Sequence, residues 1–307
     1  MILNDILICV ECKVPLQLDM PCENCGRAYR KLNGIPIYLT EANSVFKEND
    51  YFLSTKSVNS WKSLIKKIVP SISVNLSRKK VLRSYYNEFY NSFKKVLVVG
   101  SGNQKSEFEK QFSHLSNFFF VYVDIDINAE VDLFCDANSL PFRNSSFDFV
   151  VVTAVLQHVS EPVVVVQEIY RVLNRGGRVY SEYAFLQHVI EGGYDFSRLT
   201  LVGHQRLFNR FSVLKSGIVA GPATLLIWYL ENLFLLFFTN SNVRLVIKVL
   251  IRIGLFWIKY FDYVLVRFKG ASDSASCTYI YASKVDDPID DKTIIDSYQG
   301  NKGLKHV

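Results

Sequence analysis

Short apolar segments that alternate with polar, glycine-containing stretches constrain the fold of this chain more than any other feature. The first, KVLVVG (95–100), is a continuous apolar run ending in glycine, as expected for a central parallel strand buried on both faces. Between two later segments, EPVVVVQEIYRVLN carries Pro162 at its start and is followed by a glycine pair, which favours a helix. Strands that alternate with helices predict a doubly wound, Rossmann-like α/β sheet. The other segments of this kind are FFFVYVD (118–124), VDLFCD (131–136), FDFVVVT (147–153) and GGRVYSE (176–182).

Two later segments, FNRFSVLKSG (208–217) and SCTYIYASK (276–284), are predicted to close the sheet as a pair of strands. We therefore expect a seven-stranded sheet within a domain that spans residues 94–284. Its last strand should be antiparallel, with a hydrophobic helical insert at 218–269 before it. The polar end of the chain, residues 285–307, is predicted to be a flexible tail.

Two Cys-x-x-Cys pairs near the N-terminus, with nine residues between them, predict a metal site formed by Cys9, Cys12, Cys22 and Cys25. Each pair can form a tight knuckle, and two knuckles complete the tetrahedral sulfur site that Zn²⁺ prefers. Because four thiolates leave no open coordination position, the zinc should be structural. The stretch C-x-x-C…C-x-x-C-G-R-A-Y…L-N-G-I-P-I-Y resembles the small zinc-ribbon proteins that activate tRNA and protein methyltransferases. The resemblance covers roughly residues 6–40 and implies a docking or stabilising role for the ribbon, to which we assign residues 1–40.

Residues 41–93 are polar and basic, and they predict a basic linker with one or two short helices. Within the linker, WKSLIKKIV (61–69) places its apolar residues on one helical face and its lysines on the rest. We expect this helix to pack on the main domain.

The segment VLVVGSGNQ (96–104) turns from a strand through Gly100-x-Gly102 into a helix. Glycines let the backbone approach a ligand closely, and a helix N-terminus offers free amides. Asp124 ends the next strand, where an acid can bind both hydroxyls of a ribose. Since dinucleotide-binding folds use a similar turn, these features alone do not select the ligand.

Further motifs follow in order along the chain. Together with the glycine turn they resemble the class I S-adenosylmethionine (SAM) dependent methyltransferases, in the branch whose cores read D-A-x-x-L-P-F…F-D…L-E-H-V…E-x-x-R-V-L-K-P-G-G. The resemblance covers about residues 94–216 and implies SAM as the cofactor. The motifs that carry it are CDANSLPF (135–142), SSFDFV (145–150), VLQHV (155–159) and EIYRVLNRGG (168–177).

The resemblance also assigns parts of the cofactor to single residues. Asp126 competes with Asp124 as the ribose ligand. Val98 stands where an acid is common and Gln104 where a third glycine is common, and both departures weaken the contact to the methionine amine. The assigned residues are Gly100, Ser101 and Gly102 for the methionine part, Asp124 for the ribose, and Asp136 and Ala137 for the adenine.

His158, just after the fourth strand, is the best-placed candidate for a catalytic base, with packing and hydrogen bonding as the alternative. A second cluster follows the fifth strand and is similar to a subgroup of uncharacterised bacterial methyltransferases. Ile190 replaces the histidine of that subgroup, so that histidine cannot be the base here. The pair Asp195 and Arg198 suits substrate contact and a structural ion pair equally. The remaining candidates of the cluster are Glu191, Tyr194 and His204.

The insert contains an amphipathic run, VRLVIKVLIRIGLFWIKYFDYVLVRF (243–268). Four of its basic residues fall within an arc of ~80° on a helix, and the remaining face is apolar. This pattern is typical of a helix that lies in a membrane interface and is attracted by anionic lipid. The alternative is a helical cap on the sheet or a dimer interface. The four basic residues are Arg244, Lys248, Arg252 and Lys259.

The net charge of +6 fits an anionic partner, either a membrane surface or nucleic acid. The N-terminus shows no signal peptide, so we predict a cytoplasmic protein or one peripheral on the inner face of the membrane. The leading hypothesis is a SAM-dependent methyltransferase whose acceptor is a small-molecule, glycan or lipid-linked substrate near the membrane. An rRNA or tRNA methyltransferase is the first alternative, with the basic segment 56–95 following phosphates, but aromatic and basic residues do not interleave as on a stacking surface. A non-catalytic scaffold with a degenerate SAM site is the second alternative.

Overall fold

The computed structural model describes residues 2–39, 44–45, 69–103, 105–112, 117–298 and 300. The predicted helix at 61–69 lies outside the described residues, except for its last residue. The strands are β1 (Lys31–Leu32), β2 (Ile35–Tyr38), β3 (Lys94–Val99), β4 (Phe118–Asp124), β5 (Leu133–Cys135), β6 (Phe147–Thr153), β7 (Leu173–Ala184), β8 (Phe211–Ala220) and β9 (Cys277–Lys284). The helices are α1 (Ile2–Ile6), α2 (Arg78–Glu88), α3 (Lys105–Phe112), α4 (Pro162–Val172), α5 (Leu201–Leu207), α6 (Pro222–Leu235), α7 (Ser241–Leu255), α8 (Asp262–Leu265) and α9 (Asp291–Asp296).

The strands form one mixed sheet in the order β1-β2-β5-β4-β3-β6-β7-β9-β8. Strands β5, β4, β3, β6 and β7 run parallel, and β9 runs antiparallel to both of its neighbours. The predicted α/β sheet with an antiparallel last strand is therefore confirmed. The predicted number of strands is wrong, because the described residues form nine strands and not seven. The two additional strands, β1 and β2, come from the N-terminal segment and join the same sheet.

The N-terminal segment covers one edge of the sheet. Strand β2 pairs in parallel with β5, so that Ile37 lies opposite Phe134 and Tyr38 opposite Cys135. Without β2, strand β5 would expose a row of unpaired N–H and C=O groups. Strands β1 and β2 of the N-terminal segment are therefore part of the sheet.

Both faces of the central strand are buried, as its continuous apolar run predicts. Leu97 and Val99 belong to one hydrophobic core, while Val96 and Val98 belong to the core on the other face. Helix α2, which lies in the segment predicted to be a linker, covers this second face. Tyr85 of α2 stacks on a phenylalanine ring of β6 with 4.0 Å between ring centroids.

The insert leaves the sheet at the end of β8 and returns at the start of β9. Ala220, the last residue of β8, pairs with Cys277, and its carbonyl oxygen accepts a 2.9 Å hydrogen bond from the amide of Ser276. The helical part of the insert begins at Pro222, because residues 218–220 still belong to β8. The predicted flexible tail contains helix α9, which packs against α5.

Candidate functional site

The carboxyl ends of the parallel strands meet at one edge of the sheet, which we call the upper edge. Strands β3, β4, β5 and β6 end there at residues 99, 124, 135 and 153. Parallel α/β sheets bind their ligands outside this edge. The structure therefore brings together the glycine turn after β3, Asp124, the loop after β5 and His158.

The glycine turn has left-handed backbone at both glycines, with φ +71° at Gly100 and +50° at Gly102. A Cβ at Gly100 would lie 2.0 Å from Cγ2 of Val155, so a larger residue does not fit beneath Val155. A Cβ at Gly102 would meet no atom of the described residues within 4 Å. The turn is therefore open at Gly102, where the backbone can approach a ligand closely.

Asp124 holds this turn through its carboxylate. Its Oδ2 accepts a 2.8 Å hydrogen bond from the amide of Gly102, and its Oδ1 accepts bonds from the amides of Ile125 and Asp126 at 2.7 and 2.9 Å. Burial raises the pKa of Asp124, while these amide bonds oppose the shift. A carboxylate offers about four lone-pair sites, so one remains for a ribose hydroxyl. Asp126 is exposed and accepts two bonds from Asn128 through Oδ1.

The side chain of Ser101 faces the protein and not the open side of the turn. It is only 1% exposed, and its Oγ donates a 3.1 Å hydrogen bond to the carbonyl oxygen of Glu130. The amides of Gly100 and Ser101 both point to the carbonyl oxygen of Val123. These two amides are thus bound within the protein, and the helix that follows the turn begins only at Lys105. Of the two departures from the family pattern, Val98 is buried in the sheet, and residue 104 lies outside the described residues.

We call residues 136–143, which follow β5, the adenine loop, because they begin with the two residues that the resemblance assigns to the adenine. Asp136 and Ala137 are both buried at its start, and Oδ1 of Asp136 accepts a 2.9 Å hydrogen bond from the amide of Asn138. The Oδ1 atom of Asn138 is buried without a hydrogen-bond partner among the described residues. A buried acceptor in this loop suits an amino group such as that of adenine. Sequence reasoning missed Asn138, although it lies within the quoted motif.

His158 ends a short 3₁₀ helix after β6, and both of its ring nitrogens have partners. Nδ1 lies 3.1 Å from the carbonyl oxygen of Tyr194, to which it donates, and Nε2 lies 3.2 Å from the side-chain amide of Gln157. In this tautomer the amide of Gln157 donates to Nε2, so the lone pair that a base needs is in use. The Oε1 atom of Gln157 is buried and has no partner within the described part of the chain.

We call residues 185–200, which follow β7, the lid. The carboxylate of Asp195 binds the guanidinium of Arg198, and its Oδ2 accepts a 2.8 Å bond from the amide of Ile190. The Arg198 hydrogen bond lowers the pKa of Asp195. Arg198 also donates to the carbonyl oxygens of Gln187 and His188. This arrangement connects the two halves of the lid. Of the two interpretations of Asp195 and Arg198, substrate contact and a structural ion pair, the geometry therefore matches the structural ion pair.

His204 does not reach the lid. It is fully buried, with Nε2 2.9 Å from Oγ of Ser181 and Nδ1 3.5 Å from Oγ1 of Thr278. Burial lowers the pKa of His204 to about 3, so the ring is neutral at physiological pH. Glu191 and Tyr194, by contrast, are exposed in the lid.

A buried ion pair at the upper edge escaped sequence reasoning. Glu182, near the end of β7, binds Arg78 at 2.6 Å and accepts a 3.0 Å bond from the side-chain amide of Asn75. Burial alone would raise the pKa of Glu182, but pairing with Arg78 lowers it. The available signal was a lone acid in the apolar strand VYSEYA, since an acid is buried only with a partner.

The four predicted metal ligands do come together. Their sulfur atoms all lie within 4.8 Å of one another, with 3.6 Å between Cys9 and Cys25 and 3.4 Å between Cys12 and Cys22. Ligands at the Zn–S distance in a tetrahedron would be ~3.8 Å apart. A hydrogen bond from Asn24 lowers the pKa of Cys12 to about 6, whereas at Cys25 the hydrogen bond from the amide of Arg27 is outweighed by burial and the neighbouring cysteines, which raise the pKa. The cluster is therefore compatible with a four-thiolate zinc ribbon.

The basic row of the insert makes contacts within the protein, whereas its pattern predicted attraction to anionic lipid. Arg252 binds the buried Glu231 of α6 at 2.7 and 3.0 Å, and Lys248 lies 3.5 Å from the same carboxylate. Arg244 donates to two carbonyl oxygens at the end of α6, and Lys259 donates to the carbonyl oxygen of a serine outside the insert. Helical periodicity located the row but could not show which neighbour the row contacts.

The apolar face of the insert consequently points outward. Of the 29 large hydrophobic side chains that are exposed among the described residues, 17 lie between Leu226 and Phe268, and five more lie in the lid. Asp262 fixes the fold of the insert from within, because its buried carboxylate accepts hydrogen bonds from three amides at the start of α6. Within the described ranges, no helix combines the length and the apolarity needed to cross a membrane.

A family model described as a methyltransferase domain matches residues 100–181. A curated tRNA U34 carboxymethyltransferase of Nautilia profundicola is 28% identical over 169 residues, which cover 55% of this chain and 52% of that protein. The chain thus spans about half the length of this relative. The matched residues include the glycine turn, Asp124, the adenine loop and His158, so the methyltransferase domain predicted from the motifs is confirmed.

Two solved structures are similar at lower identity. Phosphoethanolamine N-methyltransferase 2 of Haemonchus contortus in complex with SAM is 15% identical. The match covers 79% of this chain and 61% of that protein, with a TM-score of 0.46. A SAM-dependent methyltransferase from Methanosarcina mazei is 13% identical. The match covers 66% of this chain and 98% of that protein, with a TM-score of 0.40. At these scores neither structure indicates what this chain acts on.

Proposed function

We propose that this chain, whose residues 100–181 form a methyltransferase domain, transfers a methyl group from SAM to an acceptor that it meets at a membrane surface. The acceptor would be a small molecule, a glycan or a lipid-linked compound. One observation carries the methyl-transfer part: the family match coincides with the residues that the fold gathers at the upper edge.

In this proposal the open side of the glycine turn at Gly102 receives the methionine part of SAM. The remaining lone pair of Asp124 takes a ribose hydroxyl, and Asp136, Ala137 and Asn138 border the adenine. When bound, SAM supplies a methyl group on a sulfonium, which leaves a neutral product after transfer. The chain mainly has to hold the acceptor in line with that methyl group and to exclude water.

Calorimetric titration with SAM tests the cofactor part. We expect saturable binding that Asp124→Ala abolishes, because the variant loses both the ribose ligand and the acceptor that holds the turn. An absence of heat at high micromolar SAM would leave the non-catalytic scaffold as the function of this domain.

Action at a membrane is supported by the exposed apolar surface that the insert and the lid form. The two segments touch, since the ring of His188 in the lid lies 4.7 Å from the ring of Trp228 in α6. Soluble monomers rarely expose apolar patches of this extent, and aromatic residues such as Trp257 and Tyr260 are enriched at the interface between lipid and water. Because the basic row contacts Glu231, the apolar face and not the charge should drive the binding.

Vesicle flotation tests this proposal with a matched control. The double variant Leu250→Ser/Ile253→Ser removes two exposed apolar side chains of α7, and Leu214→Ser removes an exposed one from β8. We expect wild type and the β8 variant to float with neutral phosphatidylcholine vesicles and the double variant to remain largely in the soluble fraction. No flotation of wild type, or equal flotation of all three proteins, would contradict membrane binding. Size-exclusion chromatography reports the alternative occupant, a second copy of the chain.

His158 stays a candidate base in this proposal. The lid must move for His158 to act, because the carbonyl oxygen of Tyr194 in the lid accepts a hydrogen bond from its Nδ1. Replacing His158 with Ala should lower kcat by about 100-fold or more if it removes a proton from the acceptor. His158→Gln retains a hydrogen-bond donor for the carbonyl oxygen of Tyr194. Recovery of kcat in the Gln variant would assign His158 to holding the lid.

A tRNA acceptor is the second candidate, and the similarity to the tRNA U34 carboxymethyltransferase of Nautilia profundicola favours it. Helix α2 adds exposed basic side chains at Lys79, Lys80 and Arg83, on a surface that could contact phosphates. Incubation with SAM labelled in the methyl group, followed by separate extraction of lipid and RNA from cell fractions, distinguishes the two acceptors. Label in tRNA alone, with a steep loss of binding as salt rises, would replace the membrane acceptor by tRNA.

A further inference from the structure

The N-terminal ribbon contacts the adenine loop directly, in addition to covering the edge of the sheet. The amide of Ile8 donates to the carbonyl oxygen of Pro141 at 3.0 Å, and the amide of Arg143 donates to that of Ile6 at 2.8 Å. A side-chain bond is added closer to the start of the loop, where Nζ of Lys13 lies 2.9 Å from Oγ of Ser139.

The position of Lys13 depends on the first cysteine knuckle. Lys13 directly follows Cys12 and has left-handed backbone with φ +58°. Its amide donates to the carbonyl oxygen of Cys9 at 2.9 Å, and the amide of Cys9 donates to that of Val14 at the same distance. The turn that brings Cys9 and Cys12 to one metal site therefore also directs Lys13 toward the loop.

The far half of the adenine loop is held without the ribbon's side chains. Arg171 of α4 donates to the carbonyl oxygens of Leu140 and Phe142, and Glu168 accepts from the amide of Leu140. The near half has fewer supports. The amide of Ser139 donates to the carbonyl oxygen of Asp136, and its buried hydroxyl is the atom that Lys13 holds.

We infer that Lys13 is a positioning residue for SAM. Its hydrogen bond to Ser139 couples the metal state of the cysteine cluster to the affinity for the cofactor. The inference rests on the proposed cofactor site. With metal bound, the knuckle keeps Lys13 on Ser139, and the segment from Asp136 to Ser139 is ready to receive the adenine. Without metal, the knuckle opens and the segment loses that support.

Calorimetric titration with S-adenosylhomocysteine, which needs no acceptor, measures this coupling. We expect Lys13→Met and Ser139→Ala each to weaken binding by about three- to tenfold, as for the loss of one hydrogen bond, and the double variant to weaken it no further than either single change. Lys13→Arg should restore most of the affinity because it retains a charged donor. Lys31→Met is the matched control, since Lys31 also belongs to the ribbon but pairs with the exposed Asp19.

Metal content, measured with a colorimetric zinc indicator after denaturation, should equal that of wild type in all these variants. Removing the metal from wild type by chelation should weaken binding, while the same treatment of Lys13→Met should have a smaller effect. Wild-type affinity in Lys13→Met, additive effects in the double variant, or loss of metal from Lys13→Met would overturn the coupling. If wild type itself fails to bind S-adenosylhomocysteine, the proposed function fails, which is a distinct result.

Discussion

The ribbon and the insert sit at opposite ends of the sheet order and bury opposite kinds of surface. In the ribbon, Ile37 and Tyr38 of β2 and Leu39, which follows the strand, are buried. In the insert, Lys248 and Arg252 of α7 are turned inward onto Glu231, and within the described part of the chain α7 buries no residue fully. An amphipathic pattern therefore predicts that two faces exist but does not predict which face the protein covers, because the neighbouring element decides that.

The largest effect should come from breaking the ribbon. Cys22→Ser removes one thiolate, and a structural four-cysteine site contributes on the order of 10 kcal/mol of metal-binding free energy to folding. We expect loss of bound zinc, and proteolysis of residues 2–39 at a protease concentration that leaves wild type intact. Cys277→Ser, a substitution at a buried cysteine outside the cluster, should retain the metal. Wild-type protease resistance in Cys22→Ser would mean that β2 holds the ribbon without metal.

The next effect should come from breaking the inward face of the insert. Glu231→Ala leaves Arg252 and Lys248 without their acidic partner, so the free energy of unfolding should fall by about 3 kcal/mol. Urea denaturation followed by tryptophan fluorescence measures it, since Trp228 and Trp257 lie in the insert. The double variant Glu231→Ala/Arg252→Ala should recover part of the loss. A change below ~0.5 kcal/mol would show that the row is solvated and available to lipid.

The buried His204 of α5 should make the stability of the protein depend on pH. Because burial lowers the pKa of His204 to about 3, the unfolded chain binds a proton between pH 6.5 and pH 4.5 that the folded chain does not. Stability should therefore fall as the pH falls through this range, by about 1.4 kcal/mol per pH unit from His204.

Urea titrations at several pH values, on wild type and His204→Asn, isolate this contribution. The variant should show a shallower slope, while the pairing with Arg78 that lowers the pKa of Glu182 keeps its titration at lower pH. Equal slopes in the two proteins would mean that His204 gains access to solvent in the folded state.

The smallest effect on stability is expected from the outward face. Leu250→Ser/Ile253→Ser should change the free energy of unfolding by less than ~1 kcal/mol, because Leu250 is 64% and Ile253 55% exposed. The same change should alter vesicle binding strongly. A large loss of stability would instead indicate that this face is covered, by residues outside the described part of the chain or by a second copy.

Much of the sheet could be predicted because its signals are local. The apolar runs gave β4 and β6 residue for residue, and the motif order identified the edge where the site lies. The pairing of β2 with β5 left no such signal, since β2 has four residues and its partner lies about a hundred residues later. The hydrogen bond between Lys13 and Ser139 and the capping of α6 by Asp262 are equally long-range. The resemblance located His158 but could not show that Gln157 and Tyr194 would occupy both of its nitrogens.

The way the insert joins the sheet has a consequence for how such a chain can be built. Because Ala220 and Cys277 are paired neighbours on adjacent strands, the residues between them form an insertion that begins and ends at the same place in the sheet. A short glycine-containing turn in its place would leave β8 and β9 as a simple hairpin, with no strand rethreaded. The segment is therefore modular, and we expect that it can be removed, shortened or exchanged without changing the strand order at the upper edge of the sheet.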